Sequence, residues 1–400
     1  MARAKQSAAL LRQDDYALAV VRDPLELARL RTDWSALMEE SDAAIFNAWD
    51  WLYPWLCRLG QHTEPYVLTA RDRSGRLVGL MPLGRRLRHV AGRAVRTLAF
   101  LGDTTVGSDY LDAVATRGRR AEVMRAFVRL LADLDDQWDL LELNDLDERS
   151  TTPQLLGETF VSETYELRTR ERSLCPNETF EDGETFDRFL RRTRRRDNYL
   201  RRKKWLERQP GYRIEIDSDP RKLTRPLAEF FRLHALRWAE EGGSQGIASP
   251  KVEAFHRDAT ALLAERGKLR LYTMWLEDRA LASVYGIVHG DTFHYYQAGY
   301  DPEWRNKSVG LVLVGATFED AIAQGLKHYD FLRGTEPYKS DWVSKERRTI
   351  QVRLFARKGV GALYVKAEDA AREVRGMAKR LLPAPAMEAL RRVRRQARSA

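Results

Sequence analysis

The sequence predicts an α/β (α+β) protein built from one layout used twice. Three observations lead there. Stretches of helical and of strand period follow one another in the same order in each half of the 400-residue chain. Turn residues fall where the period changes. A hydrophobic content of 44% with 10 tryptophans is ample for packed cores in two domains.

The elements of the first half come in order. Residues 16–23, YALAVVRD, read as a strand, and Pro24 at a first-turn position opens a helix in which Leu27, Leu30, Trp34, Leu37 and Met38 recur at helical spacing. NAWDWLYPWLCRLG, residues 47–60, is a second helix. PYVLTARD and RLVGLMPLGRR, joined through Ser74 and Gly75, read as an antiparallel hairpin. After TLAFLG comes a Gly/Asp/Ser-rich connection, DTTVGSDYLDAVA, then the helix RRAEVMRAFVRLLADL and the strand WDLLELNDL.

The second half repeats that order. LTRPLAEFFRLHALRWAEE is a helix stopped by Gly242 and Gly243. Another follows with Ser249 as N-cap, Pro250 in its first turn and Gly267 at its end. LRLYTMWL, LASVYGIVH and TFHYYQAGY are three strands. After them, VGLVLVGATFEDAIAQG is a helix with Leu311, Val314, Phe318 and Ile322 on one face and Gly325 at its end, and KHYDFLRG is a strand. The boundary between the halves is expected in a loop at Pro176 and Asn177. That gives domains at 15–176 and 177–362, with a basic helical tail at 363–400 broken by Pro383 and Pro385.

Charge and cysteine content narrow the function. A net charge of +10 favours an anionic partner, and much of it lies in FLRRTRRRDNYLRRKKWLER, residues 189–208, expected to be a solvated helix. Only Cys57 and Cys175 occur, too few for a zinc site or a disulfide framework, and both are expected to be buried, inert thiols. The seven histidines show no tight ligand spacing, so no metal is expected. No membrane-spanning or export segment is read, which makes the cytoplasm the expected location, with peripheral attachment to the inner membrane through the basic helices an open alternative.

The stretch YDPEWRNKSVG, residues 300–310, joins the last strand of the second meander to the following helix. Backbone N–H groups at a helix start point outward unpaired and the helix dipole adds positive charge, so a diphosphate docks there readily. Arg305 and Lys307 add charge-assisted bonds, Ser308 donates one more or caps the helix, and Gly310 permits close approach.

Meander, phosphate-gripping turn, helix and strand in that order resemble the GCN5-related N-acetyltransferase (GNAT) core, whose turn reads Arg/Gln-x-x-Gly-x-Gly/Ala. Arg305, Ser308 and Gly310 occupy the matching positions, with serine in place of the first glycine. The segments FFRLHALRW, LRLYTMWLEDRALASVYGIVHGDTFHYYQAGYDP, SVGLVL and GLKHYDFLRGTEPYKSDW look like the CelD/BcsL-type acetyltransferases, relatives of the Fem-like transferases with tandem domains. IFNAWDWLYPW, LAFLGDTTVGSDYLDAV and WDLLELNDL in the first half fit as well. Val309 stands where that family has proline.

The resemblance implies two tandem GNAT-like domains, each a mostly antiparallel mixed sheet flanked by helices, with acetyl-CoA or another acyl-CoA bound by the second. Its binding residues would be Gln297, Gly299, Tyr300, Arg305, Asn306, Lys307, Ser308, Val309 and Gly310. Tyr338, Asp330 and His234 are the catalytic candidates. Arg237, Trp238, Arg333, Glu336, Lys339 and Trp342 are the acceptor-side candidates, the acceptor being an amine or hydroxyl of a small molecule or cell-surface polysaccharide precursor. The rival readings are a Fem-like transferase using aminoacyl-tRNA, the one case in which nucleic acid is expected, and a non-catalytic polyanion-binding protein.

Overall fold

The computed structural model describes residues 11–13, 16–102, 106–239, 247 and 249–381. The first half contains β1 (Leu11–Gln13), β2 (Tyr16–Val21), α1 (Pro24–Arg29), α2 (Arg31–Glu39), α3 (Trp49–Leu59), β3 (Glu64–Arg71), β4 (Leu77–Val90), β5 (Arg93–Phe100), β6 (Val114–Ala115), α4 (Arg120–Asp133), β7 (Leu140–Asp147) and α5 (Thr152–Phe160). Next come β8 (Tyr165–Thr179), α6 (Phe186–Arg192), α7 (Arg196–Glu207) and β9 (Arg213–Asp217). The second meander and its helices follow as α8 (Thr224–Ala239), α9 (Pro250–Glu265), β10 (Leu269–Leu276), β11 (Arg279–His289), β12 (Thr292–Tyr300), α10 (Val309–Ala323) and β13 (His328–Asp330). The chain closes with α11 (Pro337–Ser340), β14 (Lys345–Ala356) and α12 (Val360–Leu381).

Local chemistry explains several boundaries. Asp23 accepts bonds from the amides of Leu25 (2.7 Å) and Glu26 (3.0 Å) at the start of α1, and Ser249 caps α9 through the amide of Val252 (3.4 Å). The helix expected from Pro24 onward is two, α1 and α2, meeting at Leu30. The basic run is likewise α6 and α7, because Arg194 turns between them at φ +56°. Neither is a free solvated helix: Phe189, Leu190, Tyr199 and Leu206 face the core. Gly315 of α10 admits the Tyr199 ring, since a Cβ there would stand 2.0 Å from it. Gly242, Gly243, Pro383 and Pro385, expected to end helices, lie outside the described residues.

The strands form one continuous 14-stranded mixed sheet in the order β1-β2-β3-β4-β5-β7-β14-β8-β13-β12-β11-β10-β9, with β6 beside β4. Two pairings are parallel, β5 with β7 and β12 with β13. The last strand returns to the first half: β14 lies between β7 and β8 and is antiparallel to both. Pro176 and Asn177, expected in a loop, sit inside β8, whose end also pairs with β13. α12 packs on β4, β5 and β14, so the segment expected as a tail begins as part of the first half.

One core joins the halves. Trp51 of α3 meets Phe255 of α9 edge-on (4.9 Å) and Tyr296 of β12 (5.1 Å), with Phe46 against both Trp51 and Tyr296. A second core fills the α10 face, where Phe318 stacks on Tyr329 (3.7 Å) and Trp342 (5.1 Å). Cys175 is buried, but Cys57 is exposed, because its place on α3 faces away from the core.

Three histidines are buried: His256 in the shared core, with neither ring nitrogen partnered, His294 on β12 and His234 on α8. Burial pushes His256 and His294 down to about 3 and His234 to about 4. An unfolded histidine protonates near about 6.5, so below that pH the unfolded chain binds protons the folded one refuses, and stability falls as pH falls. The melting temperature is expected to decline on going from pH ~7 to ~5, and His256→Phe, which removes one such ring, should lessen the decline. A flat melting profile across that range would contradict this.

Candidate active site

The site begins where two parallel strands part. β12 and β13 pair only at Thr292 with His328, Phe293 with Tyr329 and His294 with Asp330. Immediately afterwards β12 carries a bulge, with Tyr296 unmatched between pairs Tyr285–Gln297 and Gly286–Tyr295, and β13 ends. The chain leaves the sheet through Leu332 at φ +55° and Gly334 at φ +127°. Lys339 fixes that departure by donating to the carbonyls of Phe331 (3.2 Å) and Arg333 (2.8 Å) while pairing with Glu336 (3.0 Å). A gap therefore opens along the second half of β12.

Side chains from three elements gather at the gap. Arg237 of α8 donates to the carbonyl of Ala298 (3.3 Å) and lies against the rings of Trp238 (5.1 Å), Tyr338 (5.5 Å) and Tyr300 (5.7 Å). Tyr338 stands beside Arg237 and Tyr295. His234, kept neutral by burial, bonds Gln297. The backbones of α8 and β12 touch here, since a Cβ on Gly299 would stand 2.2 Å from the amide nitrogen of His234.

β12 then runs into the turn. Asp301 starts a short 3-10 segment, Pro302–Lys307, by accepting from the amide of Glu303 (3.1 Å). Ser308 follows in the left-handed conformation (φ 59°, ψ 35°), which glycine adopts most freely. Its side chain makes no cap, contrary to one expectation. The first bond within α10 runs from the amide of Val312 to Ser308 (3.1 Å), leaving the amides of Val309, Gly310 and Leu311 ahead of it. A Cβ on Gly310 would meet only Tyr300, at 3.9 Å. The protein itself does not require glycine there.

α7 borders this turn: Arg202 donates to the carbonyl of Asn306 (3.4 Å) and Lys307 lies over the Trp205 ring (4.7 Å). Arg305 reaches the Tyr300 hydroxyl (3.3 Å).

Asp330 opens on another space, a cavity of ≈ 890 Å³ walled by both halves, with Asn47, Tyr110, Asp147, His294 and Arg347 among its lining. Its carboxylate accepts from the Tyr110 hydroxyl (2.9 Å) and the amide of Leu332 (2.7 Å), with Arg347 at 4.0 Å. Burial raises its pKa to about 6, against the pull of Arg347. Tyr110 and Leu332, which bond it, and Asp145, which pairs with Arg333, all have positive φ, which costs a non-glycine residue on the order of 1–3 kcal/mol and clusters at functional sites.

The comparisons with known proteins bear on this geometry. Residues 193–340, which span the gap, the turn and α10, match the model of the acetyltransferase (GNAT) domain. That segment is similar to a GNAT acetyltransferase domain. The chain is similar in fold to FemX, at 12% identity and a TM-score of 0.55 over 80% of this chain and 95% of FemX. It is also similar to a conserved protein of unknown function from Bacteroides thetaiotaomicron, at 12% and 0.52 over 83% and 99%. A tandem GNAT protein from the clavulanic acid biosynthesis pathway aligns at 13% and 0.44 over 84% and 98%. No curated protein matches the sequence.

Within and beside the matched segment the expected residues divide. His234, Arg237, Trp238, Gln297, Tyr300 and Tyr338 come together at the gap, and Arg305 to Gly310 form the turn. Gly299 is occupied by packing against α8, and Lys339 and Glu336 by holding the loop. Trp342, expected at the acceptor, is 2% exposed and stacked in the core. Arg333 is committed to the first half, where it binds Asp109 (2.8 Å), Asp145 (3.2 Å) and the carbonyl of Ser108 (2.5 Å). Sequence reasoning passed over Asp109, Tyr110 and Arg347. Their only signal was the acidic, glycine-containing connection in which the first two lie. Among the described residues no group of three or more His, Cys, Asp or Glu is placed to hold a metal ion.

Asp109 is fully buried and burial raises its pKa, so Arg333 is what keeps its charge tolerable. Arg333→Met leaves buried Asp109 without its cation and Asp145 with Arg172 alone (3.0 Å), and is expected to lower unfolding free energy by about 3–5 kcal/mol in a urea titration. Asp109→Asn, which removes only charge, should cost less. An Arg333→Met loss within experimental error of zero would show that the tie is dispensable.

Proposed function

We propose that the chain transfers an acyl group from acetyl-CoA or another acyl-CoA to an amine or hydroxyl of a small acceptor, of the kind used as precursors of cell-surface polysaccharide. The observation that carries this reading is the gap between β12 and β13 running directly into the turn at Ser308 to Gly310. Unpaired amides at the start of α10, with Arg305 and Lys307, suit a pyrophosphate. The open backbone of β12 beyond the bulge suits the pantetheine amides and the thioester carbonyl, whose negative charge grows as the acceptor attacks.

The residues then take roles by position. Tyr338, held between Arg237 and Tyr295 at the gap, gives a proton to the departing thiolate. Asp330, facing the cavity between the halves with a pKa of about 6, is ionised at neutral pH and takes the proton of the attacking amine or hydroxyl. His234, neutral and bonded to Gln297, positions β12 and does not exchange protons. Arg237 must give up the Ala298 carbonyl when substrate enters, and its cation is then available to an anionic acceptor.

Calorimetry with acetyl-CoA tests the cofactor. Wild type is expected to bind, and Gly310→Val to bind at least about tenfold more weakly with an unchanged melting temperature, because the added side chain meets ligand and not protein. Binding of aminoacyl-tRNA with no response to acetyl-CoA would favour the rival aminoacyl-transferase reading. With glucosamine as acceptor, kcat/KM should rise through about pH 6 and then level, and Asp330→Asn should abolish that limb. Tyr338→Phe is expected to reduce turnover roughly 10²- to 10⁴-fold while leaving acetyl-CoA affinity largely intact. A fully active, stable Tyr338→Phe protein would remove it from the mechanism.

A further inference from the structure

The cations of the basic run at residues 189–208 divide by how they are balanced. Arg191 and Arg196 share Asp187, Arg192 has Glu184 (2.9 Å), Arg195 has Asp341 and Lys203 has Glu319 (3.0 Å). Arg201 and Arg202 of α7 have no carboxylate within ion-pair distance among the described residues, and neither has Lys307 of the turn ahead of α10. Arg201 donates only to the amide oxygen of Asn198 (3.3 Å). Arg202 spends one Nη on the Asn306 carbonyl (3.4 Å), and its Nε is buried without an acceptor.

These three cations stand together at the turn. Arg201 and Arg202 precede Trp205 by four and three residues, so the three side chains lie along one flank of α7. Two contacts tie that flank to the turn, Arg202 with the Asn306 carbonyl and Lys307 over the Trp205 ring at 4.7 Å. Lys203, with its partner Glu319, takes the other flank, beyond the core-facing Tyr199 and Leu206. Trp205 is left 37% exposed, a large indole at the surface with a cation on it. Val309, the first of the amides ahead of the α10 ladder, follows Lys307 by two residues. A pyrophosphate seated on those amides therefore lies beside this flank.

Coenzyme A does not end at its pyrophosphate. It continues into an adenosine whose ribose carries a further phosphate. The base offers a π-face, which an exposed indole stacks whatever the base. The phosphate offers two charges and oxygens spaced for a guanidinium fork. Trp205 and the unbalanced Arg201 and Arg202 supply both demands within one stretch of helix.

We propose that this flank of α7 is the subsite for the nucleotide end of the acyl donor, with Trp205 stacking the adenine and Arg201 and Arg202 binding the ribose phosphate. Lys307, which covers the indole in the free protein, turns to the pyrophosphate when the base arrives. The subsite rests on the acyl-CoA reading of the turn and assigns the residues that recognise the nucleotide.

Calorimetry of the full chain with acetyl-CoA and with acetyl-dephospho-CoA, which lacks only the ribose phosphate, tests the assignment. Wild type is expected to bind acetyl-CoA about tenfold or more tightly than the dephospho form, the worth of one charge-assisted contact. Arg201→Gln should lose about tenfold for acetyl-CoA and nothing for the dephospho form, so that the preference disappears. Trp205→Ala should weaken both donors alike, by about fivefold or more. Both positions are exposed and the melting temperature should hold; the Arg201→Gln comparison stays decisive even where Trp205→Ala lowers it. Equal affinity of wild type for the two donors overturns the subsite and leaves the acyl-CoA reading standing. Absence of acetyl-CoA binding removes that reading and the subsite with it. Binding of an RNA oligonucleotide that both substitutions abolish, with acetyl-CoA affinity untouched, would assign the flank to nucleic acid and likewise overturn the proposal.

Discussion

The guanidinium of Arg333 is the interaction on which the junction of the halves depends. It comes from the loop that leaves β13 and ends on Asp109, Asp145 and the Ser108 carbonyl, all first-half groups withdrawn from water. Taking those charges out of solvent costs several kcal/mol each, so the arrangement is weak as a source of net stability. Its value is positional. Asp109 has Arg333 as its cation and Asp145 shares it with Arg172, so the pair fixes where the loop must go, and the loop decides where β13 stops and how far β12 is left open. Tyr110, the residue after Asp109, is carried by the same segment to Asp330. One buried charge cluster therefore sets both the gap in the second half and the wall of the cavity between the halves.

That coupling is continued by a core common to both halves. The shared core places Trp51, Phe255, His256 and Tyr296 in mutual contact across the junction. Such aromatic packing holds the cavity floor rigid, because rings at 5–6 Å leave little room to slide. Left-handed backbone at Tyr110, Asp145 and Leu332 survives only because packing of this kind over-determines it.

Much of the second meander was legible in the sequence, since its strands alternate, its turns carry glycine and its helices are capped by Ser249 and stopped by Gly267. The turn ahead of α10 was legible too, with Ser308 taking the left-handed conformation that glycine adopts most freely. What could not be read was anything set by partners distant in the chain. Lys339 and Trp342 look like site residues by their neighbours in sequence, but one is spent on backbone carbonyls and the other on Phe318. The strand at Pro176 and Asn177 was missed because proline and asparagine signal a turn, whereas here a proline is tolerated within a long strand between β13 and β14. The arginines of β8 and β14 face one another only through that register, which no local pattern announces.

The placement of β14 bears on how the molecule is made. Until residues 345–356 are synthesised, β7 has no neighbour on its second side and β8 has none within the first half. At ribosomal speeds the nascent first half waits on the order of ten seconds or more with an unpaired strand edge, the feature most apt to recruit a foreign strand. That edge carries the charged Glu166, Arg168, Arg170, Glu171 and Arg172, the kind of residues that disfavour pairing with a foreign strand.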